Sequence, residues 1–237
     1  MTTLLYLTRM QGLIFDMDGT MVDNMMVHHR AWQIRLAELG LEMTLEEVHR
    51  EIHGKNEEII ERLFGDRFTP EERRQVAWEK EARYREVFKD QLRPLDGLMD
   101  LLAAAQAAGI PMGIGTAAPP ENVHFVLDHL PLRPYFRAVV DSGVVSKGKP
   151  DPEVFIRVAE AIGVPVTACL VFEDSPTGAE TARRAGCPAF ILTTTHAAAE
   201  FAHFPHIIGS APDYRGLDLH ELLGRAAAWR TAQKTTE

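Results

Sequence analysis

Short apolar runs separated by helical segments constrain the fold of this chain more than any other feature. Each run is bounded by turn-forming residues, a pattern typical of strands that are covered on both faces of a sheet. The runs occupy residues 12–15, 110–115, 138–140, 169–172 and 189–192. Helical segments between them end on Gly109, Gly163 and Gly186, and glycine is the usual residue just past a helix. Strands that alternate with helices predict an α/β fold with a doubly wound parallel sheet.

Residues 24–93 interrupt this alternation with helical patterns alone. Two of these patterns open with capping boxes, in which Thr44 and Thr69 are each followed three positions later by a glutamate. We therefore expect an all-helical cap at 24–93, inserted after the first strand, and a catalytic core built from residues 1–23 and 94–237. The cap is expected to act as a lid that determines substrate specificity.

Composition limits the class of protein. The chain has 237 residues, 46% of them hydrophobic, which is enough for a full core. Its formal net charge of -9 disfavours nucleic acid and anionic membranes as partners. Cys169 and Cys187 lie in apolar contexts, so we expect free thiols rather than a disulfide. No uncharged run is long enough to span a bilayer, and we expect a cytoplasmic protein that is a monomer by default.

Acidic residues follow two of the predicted strands. Asp16 and Asp18 come directly after the first apolar run, two positions apart, so both carboxylates can face one ligand in an extended segment. Glu173 and Asp174 follow the fourth run. Ligands of such sheets bind beyond the carboxyl ends of the strands, so we expect these side chains to share one site. Like charges repel at short range, and the cluster therefore predicts a bound cation.

Groups suited to an anion follow the other strands. Thr116 and Ala117 come after the second run and offer a hydroxyl and backbone N–H groups ahead of a helix. Lys149 precedes Pro150 after the third run and offers an ammonium group. Carboxylates, a hydroxyl, amides and one ammonium at a single edge suit a phosphate held beside a divalent metal ion.

This set of groups predicts a definite chemistry. An aspartate with an ordinary pKa of about 4 is ionised at pH 7, so Asp16 could attack phosphorus without a base. Mg²⁺ held by Asp16, Asp174 and a backbone carbonyl would neutralise the repulsion between carboxylate and phosphate. Lys149 and Thr116 would hold the transferring oxygens. Asp18 could protonate the leaving oxygen and later deprotonate water.

Four segments resemble, in order and spacing, the four motifs of the haloacid dehalogenase superfamily. They are DMDGTMVDN, Thr116, KGKPDPEVF and VFEDSPTGAETARRAG. The likeness covers essentially the whole chain, and the helical insert resembles the cap domain of the beta-phosphoglucomutase-like subfamily. The resemblance implies a Rossmann-like core, an aspartyl-phosphate on Asp16 and acid/base duty for Asp18.

The same resemblance implies a set of ligands around the reacting group. It implies phosphate contacts from Thr116 and Lys149, next to the backbone of Ala117. It also implies Mg²⁺ on the Asp16 side chain, the Asp18 carbonyl and the Asp174 side chain. Glu173 is expected near the ion, either directly or through water.

Within the family, the choice lies between a phosphatase and a phosphomutase. An acid at Asp18 argues against dehalogenase and phosphonatase chemistry, because those relatives place no acid there. His28 resembles a mutase histidine that positions the general acid, and Lys80 falls near a cap lysine used for substrate. Glu57, in a segment read as a cap loop, stands where the mutase resemblance would place an arginine for a second phosphate. Lys55 could compensate for that difference.

We therefore predict hydrolysis of a small phosphomonoester, such as a sugar or polyol phosphate, because a carboxylate would repel a second phosphate. A phosphomutase is the alternative. The candidate substrate contacts in the cap are Asn24, His28, Lys55, Asn56 and Lys80.

Other interpretations stay open at this point. A non-catalytic module that binds a phosphorylated ligand is possible, although it has no need for a pair of aspartates after the first strand. Taken alone, the Asp–Gly pair is typical of a turn, and Ser175 could simply cap a helix. His49 and His53 lie one helical turn apart, but Arg50 stands where zinc-binding helices carry a glutamate, so we expect no zinc site there.

Overall fold

The structure, a computed structural model, describes residues 12–52 and 56–234. Six parallel strands form one sheet in the order β3-β2-β1-β4-β5-β6. They are β1 (Gly12–Phe15), β2 (Met112–Gly115), β3 (Ala138–Val140), β4 (Cys169–Glu173), β5 (Ala189–Leu192) and β6 (Ile207–Ala211). This order is that of a doubly wound Rossmann sheet. Successive strands are added toward one edge from β1 to β3 and toward the other edge from β4 to β6, so the topological switch point lies between β1 and β4. The predicted fold class is confirmed.

The α-helices in the described part of the chain are α1 (Met25–Glu38), α2 (Leu45–Glu51), α3 (Asn56–Phe64), α4 (Pro70–Phe88), α5 (Leu98–Ala107), α6 (Pro120–His129), α7 (Glu153–Ile162), α8 (Pro176–Ala185) and α9 (Leu219–Lys234). Helices α7 and α8 end at Gly163 and Gly186, as their sequences predict. Capping boxes at Thr44 and Thr69 are also confirmed. Each threonine hydroxyl accepts a bond from the amide of the glutamate three positions later, and that glutamate's side chain accepts a bond from the threonine amide.

Strand β1 lies at the centre of the sheet. Leu13 is in register with Met112 of β2 on one side and with Leu170 of β4 on the other. All four residues of β1 are buried, which explains why its sequence is continuously apolar rather than alternating. The carboxyl end of β1 is thereby fixed beside the carboxyl ends of both neighbours.

The described residues divide into two compact units, 12–23 with 93–234 and 24–52 with 56–92. The larger unit contains the sheet, and one of its apolar clusters packs Ile14 and Val171 against Phe155 and other residues of α7 and against Ala182 and Ala185 of α8. Helices α1 to α4 form the smaller unit around a separate cluster that includes Trp32 and Ile60. Each unit therefore has an apolar core of its own.

Three elements differ from what the sequence pattern indicates. Helix α3 begins at Asn56, whereas the sequence pattern predicts a loop around Glu57. Glu57 therefore lies in the first helical turn. Strand β6 and helix α9 were not identified from the pattern. In β6, Ser210 is exposed and the other residues are half-buried, and Gly209 interrupts the apolar pattern. The strand therefore lacks the continuous buried apolar run of β5.

Cys169 and Cys187 are free and buried, as predicted. Burial raises the pKa of the Cys169 thiol to about 12, so it behaves as an inert apolar group. Within residues 12–52 and 56–234, every helix is too short or too polar to cross a membrane.

The close contact between β2 and α7 gives a first testable expectation. A Cβ added at Gly113 would lie 2.4 Å from Cγ1 of Val158, so Gly113→Ala forces the helix away from the sheet. We expect a loss of about 1–3 kcal/mol in the free energy of unfolding. Gly224→Ala is the control, because nothing lies within 4 Å of its added Cβ and alanine favours a helix. Urea unfolding measures both, and equal stability of the two variants would contradict this packing.

Candidate active site

The switch between β1 and β4 brings the predicted acids to one edge of the sheet. Asp16 follows the last residue of β1, and its amide donates to the carbonyl of Phe172 in β4 at 3.0 Å. Glu173 ends β4, and Asp174 follows it. The carboxyl ends of adjacent parallel strands meet here, at the point where such sheets bind ligands. Asp16, Glu173 and Asp174 are all buried.

Lys149 lies between two of these acids. Its Nζ is 2.7 Å from Oδ1 of Asp16 and 2.6 Å from Oε1 of Glu173. The Phe155 ring lies beneath the ammonium, with its centroid 4.9 Å from Nζ. Burial alone would lower the pKa of Lys149, but Asp16 and Glu173 outweigh that effect and raise it above its ordinary range. The side chain is therefore a permanent cation, not a solvated lysine.

Both oxygens of Glu173 are bound by protein groups. While Oε1 accepts from Lys149, Oε2 accepts from the amides of Asp174 at 2.9 Å and Ser175 at 3.0 Å, and from the Ser175 hydroxyl at 3.0 Å. Ser175 is also the N-cap of α8, because its hydroxyl accepts from the amide of Gly178. Glu173 thus orders the loop after β4 and holds Lys149 at the same time.

Three buried carboxylates share a small volume. One oxygen from each of Asp16, Glu173 and Asp174 lies within 4.8 Å of the others. Burial raises the pKa of Asp16 to about 8, with Lys149 opposing the shift and Glu173 and Asp18 adding to it. Burial, followed by repulsion from Glu173 and Asp16, likewise raises the pKa of Asp174 well above its ordinary value.

The expectation of an ordinary pKa at Asp16 is therefore wrong for the protein groups alone. One ammonium does not compensate three carboxylates that have been removed from water. A divalent cation would supply the missing positive charge. Its preferred ligands are oxygen atoms, which are the atoms that Asp16 and Asp174 offer, so the site fits Mg²⁺.

Residues late in the chain hold the loop after β1 through hydrogen bonds to its backbone. Gly19 has a φ of +74°, and a Cβ there would lie 2.1 Å from Oδ2 of Asp174, so glycine is required at this close approach. Its carbonyl accepts a 2.5 Å bond from the Thr194 hydroxyl. Tyr214, buried against the β1 and β4 aromatics, donates its hydroxyl to the Thr20 carbonyl at 3.1 Å.

Sequence reasoning missed Thr194 and Tyr214. Neither belongs to a recognisable motif, and each acts on a backbone carbonyl more than 170 positions earlier in the chain. Asp18 lies in the same loop after β1, where its backbone forms a β-bridge with that of Val22, and it is partly buried. It is also close enough to Asp16 to raise the pKa of that group.

Thr116 and Ala117 follow β2, beside β1 in the sheet. Thr116 is buried, its amide donates to Val140, and its hydroxyl accepts from the amide of Ala118 at 3.1 Å. Its hydroxyl is therefore not a simple helix cap, because α6 begins later, at Pro120. Ala117 is exposed at the same end of the sheet.

The smaller unit contains a separate polar network. Lys80, only 2% exposed, has its Nζ 2.9 Å from Nδ1 of His28 and 2.9 Å from Oε1 of Glu81. Asn56 donates to the same oxygen of Glu81 at 2.7 Å. Burial alone would raise the pKa of Glu81, but Lys80 and His28 outweigh that effect and lower it to about 2. Glu81 was missed because α4 is rich in charges of both signs and reads as a solvated surface.

Aromatic contacts hold this network in place. The ring of His28 stacks on Tyr84 with centroids 3.8 Å apart, and Asn24 donates to the Tyr84 hydroxyl at 2.6 Å. Four of the predicted cap residues, Asn24, His28, Asn56 and Lys80, therefore belong to one cluster of the smaller unit. The fifth, Lys55, lies outside the described residues, as does His53.

Comparison with known proteins bears on the class of this site. A family model described as haloacid dehalogenase-like hydrolase matches residues 10–186. Fructose-1-phosphate phosphatase YqaB of Escherichia coli is 34% identical over 181 residues, which is 76% of this chain and 95% of that protein. Beta-phosphoglucomutase of Bacillus subtilis is 27% identical over 185 residues, 75% of this chain and 80% of that protein.

A solved structure has the same fold. The crystal structure of a HAD hydrolase, family IA, variant 3, from Entamoeba histolytica matches with a TM-score of 0.84 at 22% identity and covers 92% of this chain and 99% of that chain. The chain belongs to the haloacid dehalogenase-like hydrolase family, because the family model matches more than half of its length. The predicted family is confirmed.

The contact between Gly178 and Glu173 gives the second expectation. A Cβ at Gly178 would lie 1.8 Å from the Glu173 carboxyl carbon, so Gly178→Ala displaces the carboxylate that holds Lys149. We expect phosphate release from p-nitrophenyl phosphate with Mg²⁺ to fall by about 10- to 100-fold. Gly224→Ala serves as the control, since its added Cβ meets nothing within 4 Å. Wild-type turnover in Gly178→Ala would show that the position of Glu173 is unimportant.

Proposed function

We propose that this protein is an Mg²⁺-dependent phosphatase that hydrolyses a small phosphomonoester, a sugar or polyol phosphate, through an aspartyl-phosphate on Asp16. The observation that carries the proposal is the buried convergence of Asp16, Lys149 and Asp174 at the switch point of the sheet. A carboxylate nucleophile, a fixed cation and a second carboxylate for the metal are the parts that attack on a phosphate dianion requires. Membership of a hydrolase family supports the same conclusion.

The acids and one carbonyl are proposed to hold the metal. Asp16 and Asp174 would supply carboxylate oxygens and Asp18 its backbone carbonyl. Glu173 is proposed to act on the ion through water, because both of its carboxylate oxygens already accept bonds from protein donors. When bound, Mg²⁺ supplies positive charge that lowers the repulsion between the Asp16 carboxylate and the phosphate oxygens.

The protein groups then divide the reaction between two steps. In the first, an Asp16 oxygen bonds to phosphorus while the bond from phosphorus to the leaving oxygen breaks, and Asp18 protonates that oxygen. In the second, Asp18 accepts a proton from water as the water oxygen bonds to phosphorus. The bond between Asp16 and phosphorus breaks, and inorganic phosphate is released. Lys149, Thr116 and the Ala117 amide are proposed to hold the oxygens that do not leave.

The cap is proposed to recognise the rest of the substrate. The network of Asn24, His28, Asn56 and Lys80 offers hydrogen-bond donors and acceptors of the kind that hydroxyl groups require. Within this network the Lys80 ammonium is already paired with Glu81. Its positive charge is therefore matched, which favours a polyhydroxyl group over a second phosphate. A role for Lys55, the lid movement, a cytoplasmic location and a monomeric state stay predictions.

Replacement of the nucleophile tests the proposed chemistry. Asp16→Asn keeps the size of the side chain but removes its charge, and phosphate release is expected to fall by a factor on the order of 10³ or more. Asp23→Asn is the matched control, because Asp23 is an exposed acid of the same segment. We expect wild-type turnover in the control and an intact fold in both by circular dichroism. Comparable turnover in Asp16→Asn and Asp23→Asn would exclude Asp16 as the nucleophile.

A phosphomutase is the second candidate function, and the similarity to beta-phosphoglucomutase favours it. A mutase must bind the phosphate at either end of the sugar. Glu57, exposed in the first turn of α3, carries the wrong charge to bind a second phosphate. A non-catalytic binding module is disfavoured, since binding alone needs no acid at Asp18 beside a nucleophile.

A direct assay separates these functions. With Mg²⁺ present, we expect phosphate release from fructose 1-phosphate or a related sugar phosphate to exceed interconversion of β-glucose 1-phosphate and glucose 6-phosphate by about 10-fold or more. Chelation by EDTA should abolish release, and added Mg²⁺ should restore it. Efficient interconversion with little release would identify a mutase, and the absence of both would leave only the binding module.

A further inference from the structure

The loop that carries Lys149 raises a positioning problem. This segment runs from the end of β3 to the start of α7, and residues 142–144, 146 and 147 are exposed. Yet the Lys149 side chain is only 8% exposed and reaches Asp16 and Glu173 within 2.7 Å. A loop that is mostly in water must therefore direct one cation accurately into a buried site.

The carboxylate of Glu153 closes this loop. Its Oε2 accepts from the Ser146 amide at 3.0 Å, the Ser146 hydroxyl at 2.6 Å and the Lys147 amide at 3.0 Å. These bonds join both ends of the segment 146–153, and Lys149 lies inside the closed segment. Accordingly, hydrogen bonds from the Ser146 hydroxyl and amide lower the pKa of Glu153 to about 2, so its charge is retained throughout the neutral range.

The other oxygen of Glu153 anchors the carboxylate to its own helix. Arg157, one turn later in α7, lies 2.7 Å from Oε1 through Nε and 2.6 Å through its terminal nitrogen. Two nitrogens of Arg157 thus hold one oxygen of the carboxylate and leave Oε2 to the loop donors. Oε2 is thereby directed at the loop.

Glu153 does not act as an ordinary helix cap. Capping side chains bind the free N–H groups of the first helical turn. The donors bound to Oε2 of Glu153 are instead amides and a hydroxyl of the preceding loop, whereas the amides of Phe155 and Ile156 donate to the Pro152 carbonyl. Its contacts therefore stabilise the path of the loop rather than the start of the helix.

We propose that Glu153 is a positioning residue for the reaction, which acts by holding the Ser146–Glu153 loop so that Lys149 meets Asp16 and Glu173. The inference rests on the proposed phosphatase function, in which Lys149 binds the phosphate oxygens. It assigns a role in phosphate binding to a side chain whose hydrogen bonds go to Ser146, Lys147 and Arg157 rather than to the acid cluster.

The test compares phosphate binding in three variants of the full chain with Mg²⁺. For Glu153→Ala we expect a fall in kcat and a rise in the inhibition constant of inorganic phosphate, each on the order of 10-fold. Glu153→Gln should restore part of this loss, because the amide keeps one acceptor oxygen but lacks the charge. Ser146→Ala removes one donor only, so we expect a smaller fall in kcat and a smaller rise in the inhibition constant. It provides a milder variant if Glu153→Ala does not fold.

Glu72→Ala is the matched control for stability. Glu72 accepts the Thr69 amide at 2.8 Å and the Thr69 hydroxyl at 2.9 Å, so it makes a similar loop contact, but far from Lys149 in the sequence and in the other unit. We expect its melting temperature to fall as in Glu153→Ala, with wild-type kcat and phosphate inhibition. Equal effects of Glu72→Ala and Glu153→Ala on phosphate inhibition would overturn the inference.

Lys149→Met separates failure of this inference from failure of the proposed function. If Lys149→Met loses phosphate binding, measured by calorimetry, while Glu153→Ala binds phosphate like the wild type, the positioning role alone is wrong. If Lys149→Met itself binds phosphate like the wild type, the proposed phosphate contact fails and the role of Glu153 fails with it. Loss in both variants, with Glu72→Ala unaffected, supports the positioning role.

Discussion

The buried ion pairs of Lys149 with Asp16 and Glu173 are the interaction on which the candidate site depends. They join the end of β1, the loop before α7 and the end of β4, three segments that are distant in the sequence. An unpaired charge in such a position costs about 3–5 kcal/mol, so each partner is tolerated only because the others are present. The cluster nevertheless has more negative than positive groups, and this imbalance is what suits it to a divalent cation.

Further hydrogen bonds hold the segments that carry this cluster. Amides after β4 bind Glu173, the Thr194 hydroxyl binds the carbonyl of Gly19, and Glu153 closes the loop around Lys149. Fixed dipoles and charges act on a developing charge without reorganisation during the reaction. We infer that these contacts support the proposed chemistry through geometry, because they fix where Glu173 and Lys149 lie.

The limits of sequence reasoning follow from the range of the interactions. Strands such as β1 and β4 were predictable because they are buried on both faces and their apolar runs are local, whereas β6 is half-buried and contains Gly209. The sequence predicts a loop where α3 begins, although two acids in the first turn are typical of a helix start. Tyr214 and Thr194 could not be found from the sequence, because nothing near them indicates a partner in the loop after β1.

By itself, the sequence determined the alternation of strands and helices, the helical insert, and the set of acids, hydroxyl and ammonium that follow the strands. These features are local, since they depend on neighbouring residues and on the periodicity of a single element. Only the tertiary structure decided that Lys149 pairs with both Asp16 and Glu173, that burial raises the pKa of Asp16, and that Glu81 neutralises Lys80. Those outcomes depend on distance and on the exclusion of water, which arise when segments far apart in the chain are packed together.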